Sequence, residues 1–117
     1  MQSILKKIGF FCIIFYSSML FAQQPSIINE IDSLYESRNL TPNLEKSIQI
    51  IDDALSSENS EILRYELLWR YARQVSAAKN YIQSTKDEKL VLYEKGLNRS
   101  AEAKKLKPND INAMYWH

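Results

Sequence analysis

Along most of the chain, apolar residues recur every three or four positions, and no stretch alternates apolar with polar residues long enough to predict a strand. Pro25 and Ser26 open a first helix, Ile27 to about Arg38, with Ile27, Ile31, Leu34 and Tyr35 on one face. Asn39-Leu40-Thr41-Pro42 breaks it. Thr41 is the expected N-cap, and Pro42 the expected first helical residue, where a missing N–H costs nothing. The second helix, Asn43 to Ser56, carries Leu44, Ile48, Ile51 and Leu55. A polar turn, Ser57-Glu58-Asn59-Ser60, leads into the longest and most aromatic segment, Glu61 to about Ile82. Thr85 and Glu88 form a Thr-x-x-Glu capping box, in which hydroxyl and carboxylate satisfy free amide donors. The fourth helix extends to Leu106, with Leu90, Tyr93, Leu97 and Ala101 as its expected apolar side. Lys104, Lys105 and Lys107 lie in or near its last turn, where cations suit the helix dipole, and Pro108 ends it. Asp110 then caps a fifth helix, Ile111 to Trp116. The pattern predicts an all-α fold.

The N-terminus follows a different rule. Lys6 and Lys7 precede an apolar run, Ile8 to Ala22, which Gln23-Gln24-Pro25 interrupts. A basic start, a short apolar core and a small residue before the cut describe a secretory signal peptide, and the run is short for a membrane span. Cleavage is expected after Ala22, giving a leader 1–22 and a domain 23–117 that is periplasmic or secreted and has no stable membrane span. Cys12 lies inside the apolar run with Phe10 and Phe11 before it, so it reads as a leader residue and not a lipidation site. The chain without its leader keeps no cysteine, so packing alone must hold it. One Cys and one His leave no ligand set for a structural metal, and none is expected. A formal net charge of +1 gives no electrostatic footprint for nucleic acid.

Small residues add a second pattern. Gly96, Ser100 and Ala103 form an i, i+4, i+7 stripe that lets neighbouring helices approach closely, with Pro108 five residues on. Forty-nine residues earlier the same offsets fall on Ser47, Ile51 and Ala54, with Asn59 in place of the proline. Leu68, Tyr71, Ala72 and Val75 supply the large-large-small-large face of an intervening helix. The rival register, Tyr65-Leu68-Trp69-Ala72, puts a tryptophan where a small residue belongs. This order matches a tetratricopeptide repeat, although 49 residues exceed the roughly 34 of the standard unit. The expected architecture is therefore a set of antiparallel helix hairpins stacked as a right-handed, tetratricopeptide-like solenoid fragment, packed through Leu68, Ala72, Gly96, Ser100, Ala103 and Pro108.

Four blocks, Leu67-Leu68-Trp69-Arg70-Tyr71-Ala72-Arg73, Glu94-Lys95-Gly96-Leu97, Ala103 through Asp110, and Ala113-Met114-Tyr115-Trp116, resemble the tetratricopeptide-like domain of regulator-of-microtubule-dynamics proteins. They also resemble the T-component lipoproteins of bacterial TRAP transporters. The resemblance implies a helical-repeat interaction protein without a catalytic role. A T-component would carry a lipobox cysteine near the cleavage site, which this chain lacks. The microtubule-associated proteins work in the cytosol or on organelles, which an export signal contradicts.

Candidate chemistry is sparse. Gly9 and Gly96 are isolated, so no phosphate loop is predicted, and His117 is the only base for a nucleophilic triad. Asp52-Asp53 and Asp87-Glu88 are neighbours in sequence and point about 100° apart on a helix, which suits solvated charges better than paired acid–base work. Neither catalytic residues nor cofactors are expected, and the chain is not read as an enzyme. Arg70 and Arg73 are more promising. They lie three apart beside Trp69, with Arg64, Tyr65 and Tyr71 close by. One reading is a clamp for an anion or carboxylate, using the bidentate guanidinium fork. The other is internal pairing with Glu61, Glu66 or Glu94 plus aromatic packing. Asn39-Leu40-Thr41 and Asn98-Arg99-Ser100 match the glycosylation sequon, which has no meaning in a bacterial protein.

The expected function is an exported, non-catalytic scaffold that binds a protein or peptide in the cell envelope. The alternative is an accessory ligand-binding component of a transport system. The last helix lacks a following partner helix, so the domain is expected to be incomplete at its C-terminus or to use that face in a homo-oligomer.

Overall fold

The computed structural model describes residues 26–57 and 60–116. The leader 1–22, Asn59 and His117 fall outside them. Five helices follow one another: α1 (26–36), α2 (Asn43–Leu55), α3 (Glu61–Tyr81), α4 (Lys86–Leu106) and α5 (Ile111–Trp116). Each packs against its neighbours in sequence, and the described residues are all-α.

The starts and stops are local chemistry. The Ser60 hydroxyl accepts from the Leu63 N–H and begins α3. Thr85 accepts from the Glu88 N–H and begins α4. The returning half of that capping box differs from expectation, because the Glu88 carboxylate accepts from the Thr85 hydroxyl and not from a backbone amide. Asp110 accepts from the Asn112 N–H at the start of α5. The start of α2 also departs from the sequence reading. Pro42 and not Thr41 holds the cap position, and no side chain caps the helix. The chain enters α2 through successive turns, with the Leu40 N–H on Ser37 O and the Asn43 N–H on Leu40 O, so the Thr41 hydroxyl is not needed there. α1 stops at residue 36, short of Arg38, as Ser37 turns its hydroxyl back onto Ser33 O.

α3 is the central element, buried over most of its circumference, with Ile62 and Ser76 left exposed. Leu63, Tyr65, Leu67, Leu68, Trp69, Tyr71, Ala72, Val75, Ala77 and Ala78 all lie in the core. Ile31 of α1 and Leu44, Ile48, Ile51 and Leu55 of α2 cover one side of it. Both sequence registers proposed for α3 consist of buried residues, so burial does not choose between them. α4 covers another side, antiparallel to α3, since Arg64 meets Glu102 near one end and Val75 meets Gly96 further along. α1 runs in the same direction as α3: Asp32 meets Arg70 and Arg73, and Arg38 reaches the Tyr81 ring. α5 runs that way too, with Asp110 beside Tyr65 and Trp116 in a groove with Ala72 to Lys79.

The side of α4 that packs is not the one its hydrophobicity suggests. Gly96, Ser100 and Ala103 are its buried residues, while Leu90 and Leu97 are each 57% exposed. Close approach explains the choice. A Cβ on Gly96 would sit 2.9 Å from Val75 Cγ1, so the backbones come nearer than any larger residue permits. Leucine at that contact would hold the helices apart. The expectation that Leu90 and Leu97 face the core is therefore corrected.

Candidate functional site

The two arginines singled out in the sequence do come together, and the anion between them belongs to the protein. Arg70 grips Asp32 with both edges of its fork, Nε to Oδ1 at 2.8 Å and Nη2 to Oδ2 at 3.1 Å. Arg73 Nη2 adds a bond of 2.7 Å to the same Oδ1. Arg70 Nη1 donates to Glu66, to both its carboxylate and its backbone oxygen. Arg73 Nε donates to Gln74 Oε1. The aromatic rings stack on these cations: Trp69 lies 4.1 Å from Arg70 and 5.2 Å from Arg73, and Tyr35 lies 4.0 Å from Arg73. The Trp69 indole N–H is itself held by Glu66. Of the internal partners suggested by sequence, Glu66 takes part. Asp32 was missed, and it lies 38 residues from Arg70.

The electrostatics follow from burial and proximity. Burial is the largest single influence on Asp32 and opposes its charge, but the hydrogen bonds and charges of Arg70 and Arg73 outweigh it and hold the carboxyl below its usual range. Burial likewise opposes the charge on both arginines. In Arg70 the two carboxylates, Asp32 and Glu66, overcome it and raise the pKa. Arg73 has one carboxylate and a cationic neighbour, so burial prevails and its pKa falls. The cluster binds α1 to α3. A free anion entering it would have to displace Asp32.

A second set of charges ties α4 to the rest. Arg64 meets both carboxylate oxygens of Glu102 at 2.9 Å, and Arg99 pairs with Asp52 at 2.8 Å, with its guanidinium over the Tyr71 ring at 4.2 Å. The Tyr71 hydroxyl and Arg99 Nη1 are buried with no hydrogen-bond partner among the described residues. Burial first, and then the Asp52 carboxylate, push the Tyr71 phenol up to about 12, against the pull of Arg99. Tyr65 is raised further, by burial and then by Asp110. The Tyr65 hydroxyl, too, is buried with no hydrogen-bond partner among the described residues; its proximity, together with the Asn112 amide, holds the Asp110 carboxyl below its usual range.

The residues given a packing role divide. Leu68, Ala72, Gly96, Ser100 and Ala103 are buried at or beside the α3–α4 contact, while Pro108 sits exposed in the turn after α4. Beside that contact opens an apolar groove of about 520 Å³, with Val75 and Lys79 of α3, Tyr93, Gly96 and Leu97 of α4, and Trp116 of α5 among its walls. Sequence reasoning did not mark this groove. The signal was present, because Gly96 and Leu97 point about 100° apart and cannot both face α3.

Among the described residues no group of three or more His, Cys, Asp or Glu could hold a metal ion. No helix among them is long and apolar enough to cross a membrane. Comparison with known proteins finds no matching family model, no similar curated protein and no similar solved structure.

Proposed function

We propose that the chain is an exported helical-repeat scaffold, tetratricopeptide-like in architecture, whose work is to bind another protein in the cell envelope. The observation that carries this reading is the groove beside the α3–α4 contact. It combines apolar walls from Val75, Tyr93, Leu97 and Trp116 with one cation, Lys79, at its side. Apolar concavities with few polar groups are where binding is expected first. The common direction of α1, α3 and α5, each first in its hairpin or its successor, supports the stacked-repeat part of the reading. The apolar run Ile8 to Ala22 supports export.

The alternative, an accessory that binds a small anionic ligand through Arg70 and Arg73, draws less support, because Asp32 already fills the fork. Replacing both arginines by alanine separates the two. The scaffold reading expects loss of stability with no loss of a ligand.

The direct test places a photocrosslinking amino acid at Ser76, an exposed groove position, and at Glu36 on α1 as a control, in the cell that expresses the chain. A discrete protein adduct at Ser76 and none at Glu36 is the expected result. Equal labelling at both, or none at either, would defeat the reading.

A further inference from the structure

Beyond the groove, a second cavity of about 670 Å³ lies where α2 and α4 begin and α3 ends. Two cations from different helices line it: Lys79, in the last turn of α3, and Lys89 of α4. Neither forms an ion pair among the described residues, although Glu45 lines the same cavity. Glu88, next to Lys89, is turned to the Thr85 hydroxyl. Lys89 is half-buried, so part of its hydration is lost with no counter-charge to offset the loss. The neutral part of the wall is also unused. Thr41, Asn80, Tyr81, Gln83 and Ser84 line the cavity, and none of their side chains hydrogen-bonds to another described residue.

Hydroxyls and carboxamides both donate and accept, as do the hydroxyls of a polyol, and the Glu45 carboxylate accepts from them too. The exposed Tyr81 ring offers a flat apolar face beside these groups. The two lysines call for an anion, and their placement favours one shape. A planar carboxylate suits the fork of a single arginine, as Asp32 does with Arg70. A phosphate carries oxygens in several directions and suits point charges that reach it from separate helices. α2 starts here with no side-chain cap, so the partial positive charge of its first amides adds to that of the lysines. The carbonyl end of α3 works the other way, and Lys79 in its last turn offsets it. The cavity is far larger than a bare ion needs and lies within the roughly 300–1,000 Å³ of small-molecule sites.

We propose that this cavity binds a phosphorylated polyol, with the phosphate between Lys79 and Lys89 and the hydroxyls on Glu45 and the neutral polar wall. The site takes a different class of ligand from the protein-binding groove and does not depend on the scaffold reading. Lys79 borders both places, whereas Lys89 lines the cavity and not the groove, so Lys89 is the residue that tests it cleanly.

The test titrates the chain, as the expressing cell delivers it, with glucose 6-phosphate by isothermal calorimetry. Saturable binding with a Kd below ~1 mM is expected, with glucose and inorganic phosphate each weaker by about tenfold or more. Lys89→Gln should weaken binding about tenfold and Lys89→Arg should keep most of it, with helical circular dichroism unchanged in both. Lys104→Gln, in the last turn of α4, should leave binding as it is. Vesicles of phosphatidylglycerol, set against phosphatidylcholine, distinguish the two sources of this chemistry. Co-flotation with phosphatidylglycerol alone, abolished by Lys89→Gln, assigns the site to a lipid headgroup. Binding of glucose 6-phosphate without co-flotation assigns it to a soluble ligand, and either result supports the proposal. It would be overturned by the absence of both saturation up to ~10 mM glucose 6-phosphate and co-flotation. Binding indifferent to Lys89→Gln, or inorganic phosphate held as tightly as glucose 6-phosphate, would overturn it as well.

Discussion

Replacing Asp32 by asparagine keeps the shape of the side chain and removes the charge that Arg70 and Arg73 surround. Their side chains are only 10% and 12% exposed, so both cations would stay desolvated with much of their compensation gone. Breaking a fully buried pair in this way costs about 3–5 kcal/mol. The Asp32 side chain is 35% exposed, so solvent screens the loss, and about 1–3 kcal/mol is the expected cost. Against a total of ~5–10 kcal/mol for a domain of this size, that is readily measured. Urea unfolding followed by circular dichroism at pH 7 gives the number. The pH dependence supplies an internal check. The folded pKa of Asp32 is lowered, so its contribution is complete above the unfolded value near 3.8 and disappears as pH falls through the lower, folded value. Asp32→Asn should therefore be destabilised at neutral pH and should lose part of the acid limb that the parent shows below about pH 4. A difference under 0.5 kcal/mol at pH 7, with the acid limb unchanged, would refute the claim that the cluster fastens α1 to α3.

Other outcomes follow from the same structure. Gly96→Ala should destabilise by about 1–2 kcal/mol, since its Cβ would press on the stiff Val75 side chain by more than the ~1 kcal/mol gained in helix propensity. In a Val75→Ala background the same change should become neutral or stabilising, and chemical denaturation reads the change of sign. Tyr71→Phe removes a buried hydroxyl without a partner, so stability at pH 7 should hold or rise by up to ~1 kcal/mol. Because burial penalises the phenolate, stability is level below pH 10 and falls as pH climbs toward about 12, and the variant should lack that alkaline decline in thermal melts. Ser60→Ala and Thr85→Ala each delete an N-cap and should cost ~1 kcal/mol, measured as a shift in urea midpoint.

Helix boundaries were legible because their causes are local. Ser60, Thr85 and Asp110 satisfy amides two or three residues away, within reach of a reader of sequence. Thr41 shows how that reading errs: the turns through Ser37 and Leu40 take over the entry to α2, and no residue type announces them. The partner of the arginines was hidden for a different reason. Asp32 becomes their neighbour only because α1 lies along α3, a long-range arrangement that spacing does not encode. On α4 two stripes competed, one small and one large. Ranking by hydrophobicity favours Leu90 and Leu97, whereas the packing energy of two approaching backbones favours Gly96, Ser100 and Ala103.

That close approach is the claim everything else stands on, and a disulfide can report it. In a chain whose Cys12 is replaced by serine, Val75→Cys with Gly96→Cys places two thiols where the Cβ–Cβ separation is 3.1 Å, just inside the shortest usual disulfide spacing of about 3.5 Å. Mild oxidation should close an intramolecular bond, seen as the loss of two hydrogens by mass spectrometry, with helical circular dichroism retained. Two thiols that stay free under those conditions, in a protein that is still helical, would show that α3 and α4 do not meet at Gly96.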